Sequence, residues 1–592
     1  MATIKVIQRN SNLVHRCLWR LVQTSPVVSK TLQAKPINQR VECRYSNTST
    51  VRHDSGVIKS KYADVQIPTN VSLPEYLMSD FDKYGDQVAL VDGLSDKHYT
   101  FRQLKELVRS CGSGLVRHGF KPGDVCLLYK PNSPEYFVSI NSVSSIGGVV
   151  VTANPLCTVD ELVYFLKSSD ASWLITAPGF VEKAVEAVTR VNNIKGIFVI
   201  GDETIDGCIS FTKLMKDDGS AFPSDVRVNP TDDVAALLYS SGTTGLPKGV
   251  MLTHYNFIAS LQQLKAPGFL KLNSDEDVLP AVLPFFHIAG LLAPLFLGLK
   301  QGVKLITAPK FDPETFLRIV QEYKASRLYL VPPILVFLAK HPLVDHYDIS
   351  NVSEIGCGAA PAGPATIKAV RKRLGRKNLP VRQVYGLTEC CLVTCLTTHE
   401  KFEIGSVGTL TPNTEGKVVD VETGEILGVG QDGELCFRGP QVMKGYLNNI
   451  EATQKTITHD GWLHTGDIGH YDEKGHFYVV DRLKELIKYK AFQVAPAELE
   501  NLILSMQGVR DVAVIGLPDD EAGELPKAFI VPASDNIKPE DVIKFVEGKV
   551  APQKRLRGGV EFIEEIPKSA SGKILRRVLK ALELERLRTG TV

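Results

Sequence analysis

The sequence predicts an α/β fold with a large N-terminal domain and a small α+β C-terminal domain. Apolar, strand-like runs alternate with amphipathic helical segments over much of residues 62–387. That order is typical of parallel sheets with helices on both faces. After Thr414 the pattern changes to short β-rich runs separated by glycines, and a separate α+β pattern begins at Pro496. These three observations together define the predicted fold class.

The first alternating region extends from Tyr62 to about Pro223. Its helices are predicted where apolar residues recur three and four positions apart, and its strands where short apolar runs occur. The predicted order is helix 73–81, strand 88–91, helix 101–118, strand 125–129, helix 134–146 and strand 147–151. A comparable alternation over 256–307 and 314–387 predicts further parallel α/β structure.

The later part of the chain predicts two smaller units. Short runs at 418–419, 433–437 and 476–480 indicate a β subdomain that completes the large domain. The C-terminal unit is predicted as helix 496–505, strands 509–515 and 527–531, helix 539–546, strand 560–563 and a basic helix 574–588. About 110 residues can form an independent domain. We therefore predict a leader at 1–55, a large domain at 56–481 and a small, mobile domain at 482–592, with a hinge near 482–484.

The first fifty residues differ from the rest in charge. They carry eight lysines and arginines against one glutamate, a net charge of +7, whereas the whole chain has +2. They are also rich in hydroxyl and amide side chains, with apolar residues spaced for one helix face. This description fits a mitochondrial transit peptide, and a disordered basic tail is the alternative. We expect a mitochondrial location, with the matrix favoured.

Composition excludes several classes of protein. Hydrophobic residues make up 44% and charged residues 23% of the chain, as in ordinary globular proteins. The small net charge gives no sign of binding to nucleic acid or to an anionic membrane. No apolar run reaches the roughly 18 residues of a spanning helix, so no transmembrane segment is expected. The eleven cysteines lack paired metal-ligand spacing and are expected to be reduced thiols.

One loop dominates the interpretation of function. An apolar run ends at Tyr239, and the string Ser-Ser-Gly-Thr-Thr-Gly-Leu-Pro-Lys-Gly follows at 240–249. Glycines let the backbone approach a ligand, successive N–H groups can form an anion nest, and Lys248 adds a positive charge. The combination suits a polyphosphate, although it lacks the spacing of a Walker loop. By composition alone, an ordinary glycine-rich hairpin would be the better interpretation.

The whole string is more specific than its composition. It resembles the signature loop of the adenylate-forming superfamily, which includes acyl-CoA synthetases, 4-coumarate–CoA ligases and beetle luciferases. The resemblance covers nearly everything after residue 60 and is strongest from 235 onward. It implies ATP, Mg²⁺ and CoA as cofactors or co-substrates and two half-reactions at one site. A carboxylate first attacks the α-phosphate of ATP, and the CoA thiol then displaces AMP from the acyl-adenylate.

The nucleotide contacts implied by the resemblance come from three motifs. In the YGxTE motif at 385–389, Tyr385 would lie near adenine, Thr388 would bond the α-phosphate and Glu389 would hold Mg²⁺ together with Thr244. In the WxxTGD motif at 462–467, Asp467 would accept hydrogen bonds from the ribose, with Arg482 beside it. Further cofactor contacts are implied for Ser240, Ser241, Gly242, Thr243, Lys248, Gln383 and Gly386.

The catalytic residues are implied by the C-terminal part of the resemblance. Lys573, in Pro-Lys-Ser-Ala-Ser-Gly-Lys at 567–573, is the strongest candidate for stabilising charge during adenylate formation. The segment 484–494 resembles the loop that serves thioester formation, in which Lys488 and Gln493 act and Lys490 lies along the CoA path. Lys310 matches a position near the CoA phosphates. One departure is Ala491, where the family usually has glycine.

His287 matches a histidine that lies beside the acyl carboxylate in the family, so the resemblance implies that it contacts the acid. Plant coumarate ligases have a tyrosine two positions later, where this chain has Ala289. Because alanine widens the pocket and removes an aromatic partner, the sequence favours a medium- or long-chain fatty acid. A coumarate-type aryl acid ligase and a luciferase-like monooxygenase stay open as alternatives, as does a non-catalytic binding protein. The sequence leaves the oligomeric state undetermined.

Overall fold

The protein is represented by a computed structural model, which describes residues 56–203, 205–240, 247–360, 362–398, 403, 405–490, 492–533, 537–569 and 572–589. The predicted leader at 1–55 lies outside the described residues, as does Ala491. The α/β fold class is confirmed, with a large N-terminal part and a small C-terminal part. Residues 56–481 are termed the large domain below and residues 482–592 the small domain.

An eight-stranded sheet forms the centre of the large domain. Six of its strands run parallel, as the alternating pattern predicts, and two antiparallel strands are added at one edge. From that edge, the strands are Gly445–Tyr446, Lys248–Thr253, Val234–Ser240, Val149–Thr152, Val125–Tyr129, Trp173–Thr176, Gly196–Val199 and Ile209–Ser210.

Two further mixed sheets complete the α/β part. A four-stranded sheet has the order Val278–Ala281, Lys304–Thr307, Val88–Asp92 and His98–Thr100, of which the first three are parallel. A five-stranded sheet has the order Arg327–Leu330, Glu354–Cys357, Val381–Tyr385, Cys395–Leu396 and Thr409–Leu410. Here too the first three strands are parallel and the rest antiparallel.

The β subdomain predicted after Thr414 is a five-stranded antiparallel sheet. Its strands, in spatial order, are Ile58–Lys59, Glu415–Val419, Gly433–Arg438, Leu463–Tyr471 and Phe477–Arg482. The last strand ends at the predicted hinge. The small domain follows with strands Phe492–Val494, Ile487–Tyr489, Gly523–Pro532 and Val509–Asp519 in spatial order, and with Val560–Phe562 parallel to Gly523–Pro532.

Helices cover the sheets, and several begin at a capping box of the kind that fixes a helix start. The side chains of Ser72, Thr100, Thr158 and Thr253 each accept from the backbone N–H three residues on, and the side chain at that position accepts from the N–H of the capping residue in return. The α-helices are Leu73–Met78, Phe81–Tyr84, Phe101–Arg117, Glu135–Ser145, Val159–Ser168, Val181–Thr189, Phe211–Met215, His254–Lys265, Ile288–Gly290, Pro313–Glu322, Pro332–Lys340, Pro364–Arg373, Ile450–Thr456, Pro496–Leu504, Pro539–Glu547 and Arg576–Thr589. A π-helix, Leu291–Gly298, continues from Ile288–Gly290.

One predicted helix is divided in the structure. The helix predicted at 73–81 is two short helices, because Ser79 and Asp80 interrupt it and Gly85 ends the second with φ of 52°.

The nine cysteines in the described part of the chain are free, in agreement with the predicted thiols. Among the described residues, no helix has the length and apolar character needed to cross a membrane.

Candidate functional site

The predicted phosphate loop is closed at its base by a β-hairpin. Strands Val234–Ser240 and Lys248–Thr253 pair antiparallel up to the Ser240–Lys248 pair, so both ends of the loop are fixed at one point. Lys248 Nζ lies 4.9 Å from the ring centroid of Tyr446. The predicted ligands Ser241, Gly242, Thr243 and Thr244 lie outside the described residues.

Glu389 connects this hairpin to the YGxTE segment. Its Oε1 accepts from the Ser240 hydroxyl at 2.9 Å and from the Tyr446 hydroxyl at 2.9 Å. Its backbone carbonyl also accepts from the Met443 N–H at 2.8 Å. The half-buried carboxylate is therefore held at the base of the loop, beside Ser240. Tyr446 was missed by sequence reasoning, since it belongs to none of the recognised motifs.

Gly386 has a clear steric reason to be glycine. A Cβ at this position would lie 1.4 Å from the Leu392 carbonyl oxygen. The chain makes this close approach as it turns through the short 3-10 helix Thr388–Cys390, after which Cys391 and Leu392 both have positive φ. Thr388 and Glu389 are thereby placed on a tight turn at the end of the strand Val381–Tyr385.

Asp467 is held by two of the predicted site residues. Tyr385 donates its hydroxyl to Asp467 Oδ2 at 2.7 Å, and Arg482 Nε lies 3.3 Å from Oδ1. Burial raises the pKa of Asp467, while the positive charge of Arg482 opposes that shift. Burial also raises the pKa of Tyr385, which keeps its hydroxyl proton available for donation. The structure thus brings the tyrosine, aspartate and arginine of three separate segments together.

Gln383, predicted to contact the cofactor, makes two hydrogen bonds to the backbone through its side-chain amide. Its Oε1 accepts from the Ala362 N–H at 3.0 Å, and its Nε2 donates to the Ser406 carbonyl at 3.2 Å. Both ends of the amide are used, and the residue is buried. Gln383 therefore ties two backbone segments together at the wall of the site.

Lys573 reaches this same region from the small domain. Gly572, with φ of +80°, gives the turn its shape, and Ser569 binds Lys573 twice: Ser569 N–H donates to the Lys573 carbonyl, and Lys573 N–H donates to Ser569 Oγ. Burial lowers the pKa of Lys573, and the charge of Arg482 lowers it further, whereas Asp467 and Glu389 oppose the shift. The charges of Arg482, Asp467 and Glu389 therefore act on the Lys573 ammonium group.

His287 lies at the start of the helical segment Ile288–Gly290 and is half-buried. Its Nδ1 accepts from the Ala289 N–H at 3.2 Å, which leaves the ring proton on Nε2. Burial lowers the pKa of His287 to about 3, and Lys573 contributes to this shift. The imidazole is thus neutral near pH 7 and can donate one hydrogen bond through Nε2. Because the charge of Lys573 lowers the pKa of His287, these two predicted catalytic residues lie close enough to interact electrostatically.

The residues predicted for the second half-reaction lie elsewhere. Lys488 and Gln493 face each other across a two-stranded hairpin of the small domain, and both are exposed. Lys490 is exposed at the tip with φ of 53°, and its N–H donates to the Ala522 carbonyl. Lys310 is exposed on the large domain. In this arrangement, Lys573 faces the nucleotide residues and the 488–493 hairpin does not.

A cleft of about 1140 Å³ lies between the two domains. Its walls include Gln383, Tyr385, Asp467 and Arg482 from around the nucleotide site and Lys573 from the small domain. Polar groups from the YGxTE, WxxTGD and C-terminal motifs therefore line one concave region, as in a small-molecule site.

A carboxylate, a thiol and an imidazole also cluster behind the Asp467 turn. Ligand atoms of Glu434, Cys436 and His464 lie within 4.8 Å of one another. Glu434 Oε1 accepts from the Gly466 N–H at 2.9 Å, and Oε2 lies 2.8 Å from His464 Nδ1. Because hydrogen bonds already use both carboxylate oxygens, we interpret the cluster as a support for the Gly466–Asp467 turn. Sequence reasoning missed Glu434.

Comparisons with known proteins agree with this geometry. The family described as AMP-binding enzyme matches residues 79–447, and the AMP-binding enzyme C-terminal domain matches residues 498–573. The chain is 44% identical over 532 residues to 4-coumarate–CoA ligase 1 of Petroselinum crispum, which covers 89% of this chain and 96% of that protein.

Solved structures give the same result. ATP-bound MatB from Rhodopseudomonas palustris superposes with a TM-score of 0.76 at 27% identity, covering 86% of this chain and 99% of that one. The anthranilate CoA ligase AuaEII in complex with anthranoyl-AMP has a TM-score of 0.80 at 24% identity, covers 87% of this chain and 98% of that one, and shows the shared fold. The chain therefore belongs to the AMP-binding enzyme family and is an ATP-dependent acid–CoA ligase.

Proposed function

We propose that the acid is an aromatic one of the 4-coumarate class. The observation that carries this proposal is the 44% identity to the Petroselinum ligase over 96% of its length. It reverses the preference for a fatty acid that the sequence suggested through Ala289. Identity over the full length weighs more than one pocket position, because a single apolar contact changes discrimination by only about 1–3 kcal/mol.

The first half-reaction uses residues of both domains. Asp467 accepts hydrogen bonds from the ribose hydroxyls, and the positive charge of Arg482 favours the ionised form of that carboxylate. The acid carboxylate attacks the α-phosphorus, its oxygen forms the new P–O bond, and pyrophosphate leaves with the electrons of the broken bond. Lys573 supplies positive charge next to the carboxylate and the α-phosphate, where negative charge increases in the transition state. Neutral His287 can orient the acid by donating from Nε2.

The residues present also fit a magnesium ion. Mg²⁺ prefers oxygen ligands and is commonly held by one or two carboxylates together with phosphate oxygens. Glu389 offers a half-buried carboxylate that only hydroxyl donors contact among the described residues, and it lies at the base of the phosphate loop. The ion would neutralise charge on the leaving pyrophosphate.

The second half-reaction needs a different set of residues. The thiol of CoA attacks the acyl carbon of the adenylate, the C–S bond forms, and AMP leaves with the former carboxylate oxygen. Lys488 and Gln493 are exposed in the present arrangement, so they can serve this step only after the small domain turns about the segment near 482–484. Lys310 and Lys490 would meet the CoA phosphates.

A fatty acid is the second candidate, and one observation favours it. Ala289 and Ala293 are both half-buried rather than buried, and they lie four residues apart after His287. Two small side chains on that side leave an open apolar wall, which would accept a longer aliphatic chain.

A substrate panel distinguishes the two candidates. We expect ATP–pyrophosphate exchange and AMP release with CoA to be fastest, by kcat/KM, with 4-coumarate and cinnamate, and slower with hexanoate, decanoate and palmitate. Ala289→Tyr should reduce activity with decanoate more than with cinnamate, because the ring narrows the wall. A wild-type preference for decanoate or palmitate would contradict the proposal. Oxygen uptake from the acyl-adenylate would instead support the luciferase-like alternative.

We also propose that residues 1–55 direct the protein to mitochondria, on the basis of their charge and amphipathic spacing alone. A fluorescent reporter fused to residues 1–60 should accumulate in mitochondria. The same fusion with its ten lysines and arginines changed to glutamine should be diffuse. Diffuse fluorescence of the unchanged fusion would contradict the proposal.

A further inference from the structure

The helix Pro332–Lys340 of the large domain contacts the small domain near both of its ends. At the N-terminal end, a Cβ built on Gly572 would lie 3.1 Å from Val331 Cγ2 and 3.6 Å from Pro333 Cδ. At the C-terminal end, Lys340 Nζ donates to the Leu504 carbonyl at 3.0 Å and to the Val509 carbonyl at 3.0 Å. One helix therefore contacts both the Lys573 turn and a second segment of the small domain.

The bonds of Lys340 have a simple electrostatic logic. Leu504 is the last residue of the helix Pro496–Leu504, so its carbonyl has no partner within that helix. A helix C-terminus carries partial negative charge, and a lysine ammonium there is favourable. Asp511, two residues beyond Val509, adds attraction for Lys340. A single cation of the large domain thus neutralises a negative region of the small one.

This contact leads directly to the catalytic turn. Asp511 pairs with Lys568, and Lys568 forms a β-bridge with Ile574 on the far side of the turn that carries Lys573. Ser569 then binds the Lys573 backbone in both directions. The segment that Lys340 holds is therefore joined to the Lys573 turn by one ion pair and a short hairpin.

We propose that Lys340 is a positioning residue that holds the small domain in the orientation needed for adenylate formation. The proposal rests on the two-step ligase chemistry above. Lys340 is exposed and does not contact the reacting groups, so it acts through the placement of Lys573. When the small domain turns to present the 488–493 hairpin, these bonds must break. Lys340 therefore favours the first half-reaction selectively.

The test separates the half-reactions in the full-length protein. Lys340→Met keeps the apolar stem and removes the donor. We expect it to reduce ATP–pyrophosphate exchange about tenfold, as the loss of a charged but exposed hydrogen-bonding group implies. Thioester formation from a supplied acyl-adenylate and CoA should be unchanged or faster. Lys340→Arg should restore most of the exchange activity. Lys372→Met, an exposed lysine of the neighbouring helix Pro364–Arg373, is the matched control.

A second measurement does not depend on turnover. Amide hydrogen exchange over 504–511 and 568–575 should be faster in Lys340→Met than in the wild type and unchanged in Lys372→Met. Equal losses in both half-reactions, or unchanged pyrophosphate exchange together with unchanged amide protection, would overturn the proposal. A wild-type protein without exchange activity on any acid would refute the proposed function instead, and the amide protection would still decide the role of Lys340.

Discussion

Arg482 lies directly across the antiparallel ladder from Asp467, with its Nε 3.3 Å from Asp467 Oδ1. The other carboxylate oxygen receives the Tyr385 hydroxyl at 2.7 Å. A buried carboxylate is costly unless charge and hydrogen bonds compensate for lost water. Here the compensation comes from two fixed side chains, so the carboxylate is oriented before any nucleotide arrives.

Asp467→Asn should therefore weaken nucleotide binding more than folding. The amide removes the charge that pairs with Arg482 and replaces one acceptor oxygen by a donor. We expect kcat/KM for ATP to fall by about 10- to 100-fold, since hydrogen bonds to charged groups contribute roughly 1.5–3 kcal/mol. Asp432→Asn, an exposed carboxylate paired with His470 on the same sheet, is the control. Equal ATP kinetics in the two variants would contradict a ribose-binding role.

Lys573→Met should abolish the first half-reaction selectively. Loss of one preorganised donor at developing charge commonly costs about 10²- to 10³-fold in rate. Pyrophosphate exchange should fall by that amount, whereas thioester formation from a supplied acyl-adenylate should persist. Lys544→Met, at an exposed position of the helix Pro539–Glu547, serves as the control. Normal exchange by Lys573→Met would remove this residue from the mechanism.

Lys488→Ala and Gln493→Ala should show the opposite pattern. Both side chains are exposed and lie away from the nucleotide residues in the present orientation, so adenylate formation has no need of them. We expect thioester formation from acyl-adenylate to slow at least tenfold, with pyrophosphate exchange within about twofold of wild type. Single-turnover assays with each half-reaction isolated provide the measurement. A loss of pyrophosphate exchange in either variant would contradict the assignment of Lys488 and Gln493 to the second half-reaction alone.

Lys130 gives a prediction about stability and pH. It is 1% exposed, and burial lowers its pKa to about 8. In the unfolded chain a lysine titrates near pH ~10.4, so the unfolded state binds more protons between these values, and stability rises with pH across that window. Lys130→Met should raise the free energy of unfolding by about 1–2 kcal/mol near pH 6.5, because the desolvation cost exceeds the attraction to Glu135. That gain should disappear above about pH 10.

The control for Lys130 is Lys97→Met. Lys97 pairs with Glu135 at 2.9 Å, and its side chain is 57% exposed. Desolvation lowers the pKa of Lys97, but the hydrogen bonds and charges of Tyr99 and Glu135 outweigh it and raise the pKa overall. Lys97→Met should not raise the free energy of unfolding near pH 6.5 or above about pH 10. Urea unfolding at the two pH values measures both variants. A lower free energy of unfolding for Lys130→Met at pH 6.5 would show that the pairing with Glu135 outweighs burial.

Gly386→Ala should destabilise the large domain. The added methyl would overlap the Leu392 carbonyl, which belongs to a backbone turn and cannot rotate away as a side chain could. We expect a loss of more than about 3 kcal/mol, or failure to fold. Gly179→Ala is the matched control, since no atom of the described residues lies within 4 Å of its Cβ position. A melting temperature within about 2 °C of wild type would contradict the clash.

Local sequence patterns predicted the fold where local physics determines it. The amphipathic run 101–118 and the short apolar runs of the parallel sheets correspond to observed elements, because periodicity and capping are encoded within a few residues. The interruption at Ser79–Asp80 was missed, since the apolar spacing continues through it. Helix termination there depends on a turn that the periodicity does not report.

The site was predictable only where a motif names its residues. Tyr385, Asp467 and Arg482 were each singled out, and they meet through hydrogen bonds and an ion pair. The supporting residues Tyr446 and Glu434 were not, because their partners lie 57 and 32 residues away and no motif links them. The burial of Lys130 was likewise hidden, since a single lysine in sequence is expected to be solvated.

The strand Phe477–Arg482 has a consequence for dissecting the enzyme. Arg482 is its last residue and the first residue of the small domain, and pairing with the strand Leu463–Tyr471 keeps it beside Asp467 in the large-domain sheet. A protease that cuts just after Arg482 would therefore separate the aspartate–arginine pair from Lys573. The larger fragment would retain Asp467 and Arg482, which we propose bind the ribose of ATP, and Lys573, which we propose acts in acid activation, would lie in the smaller one.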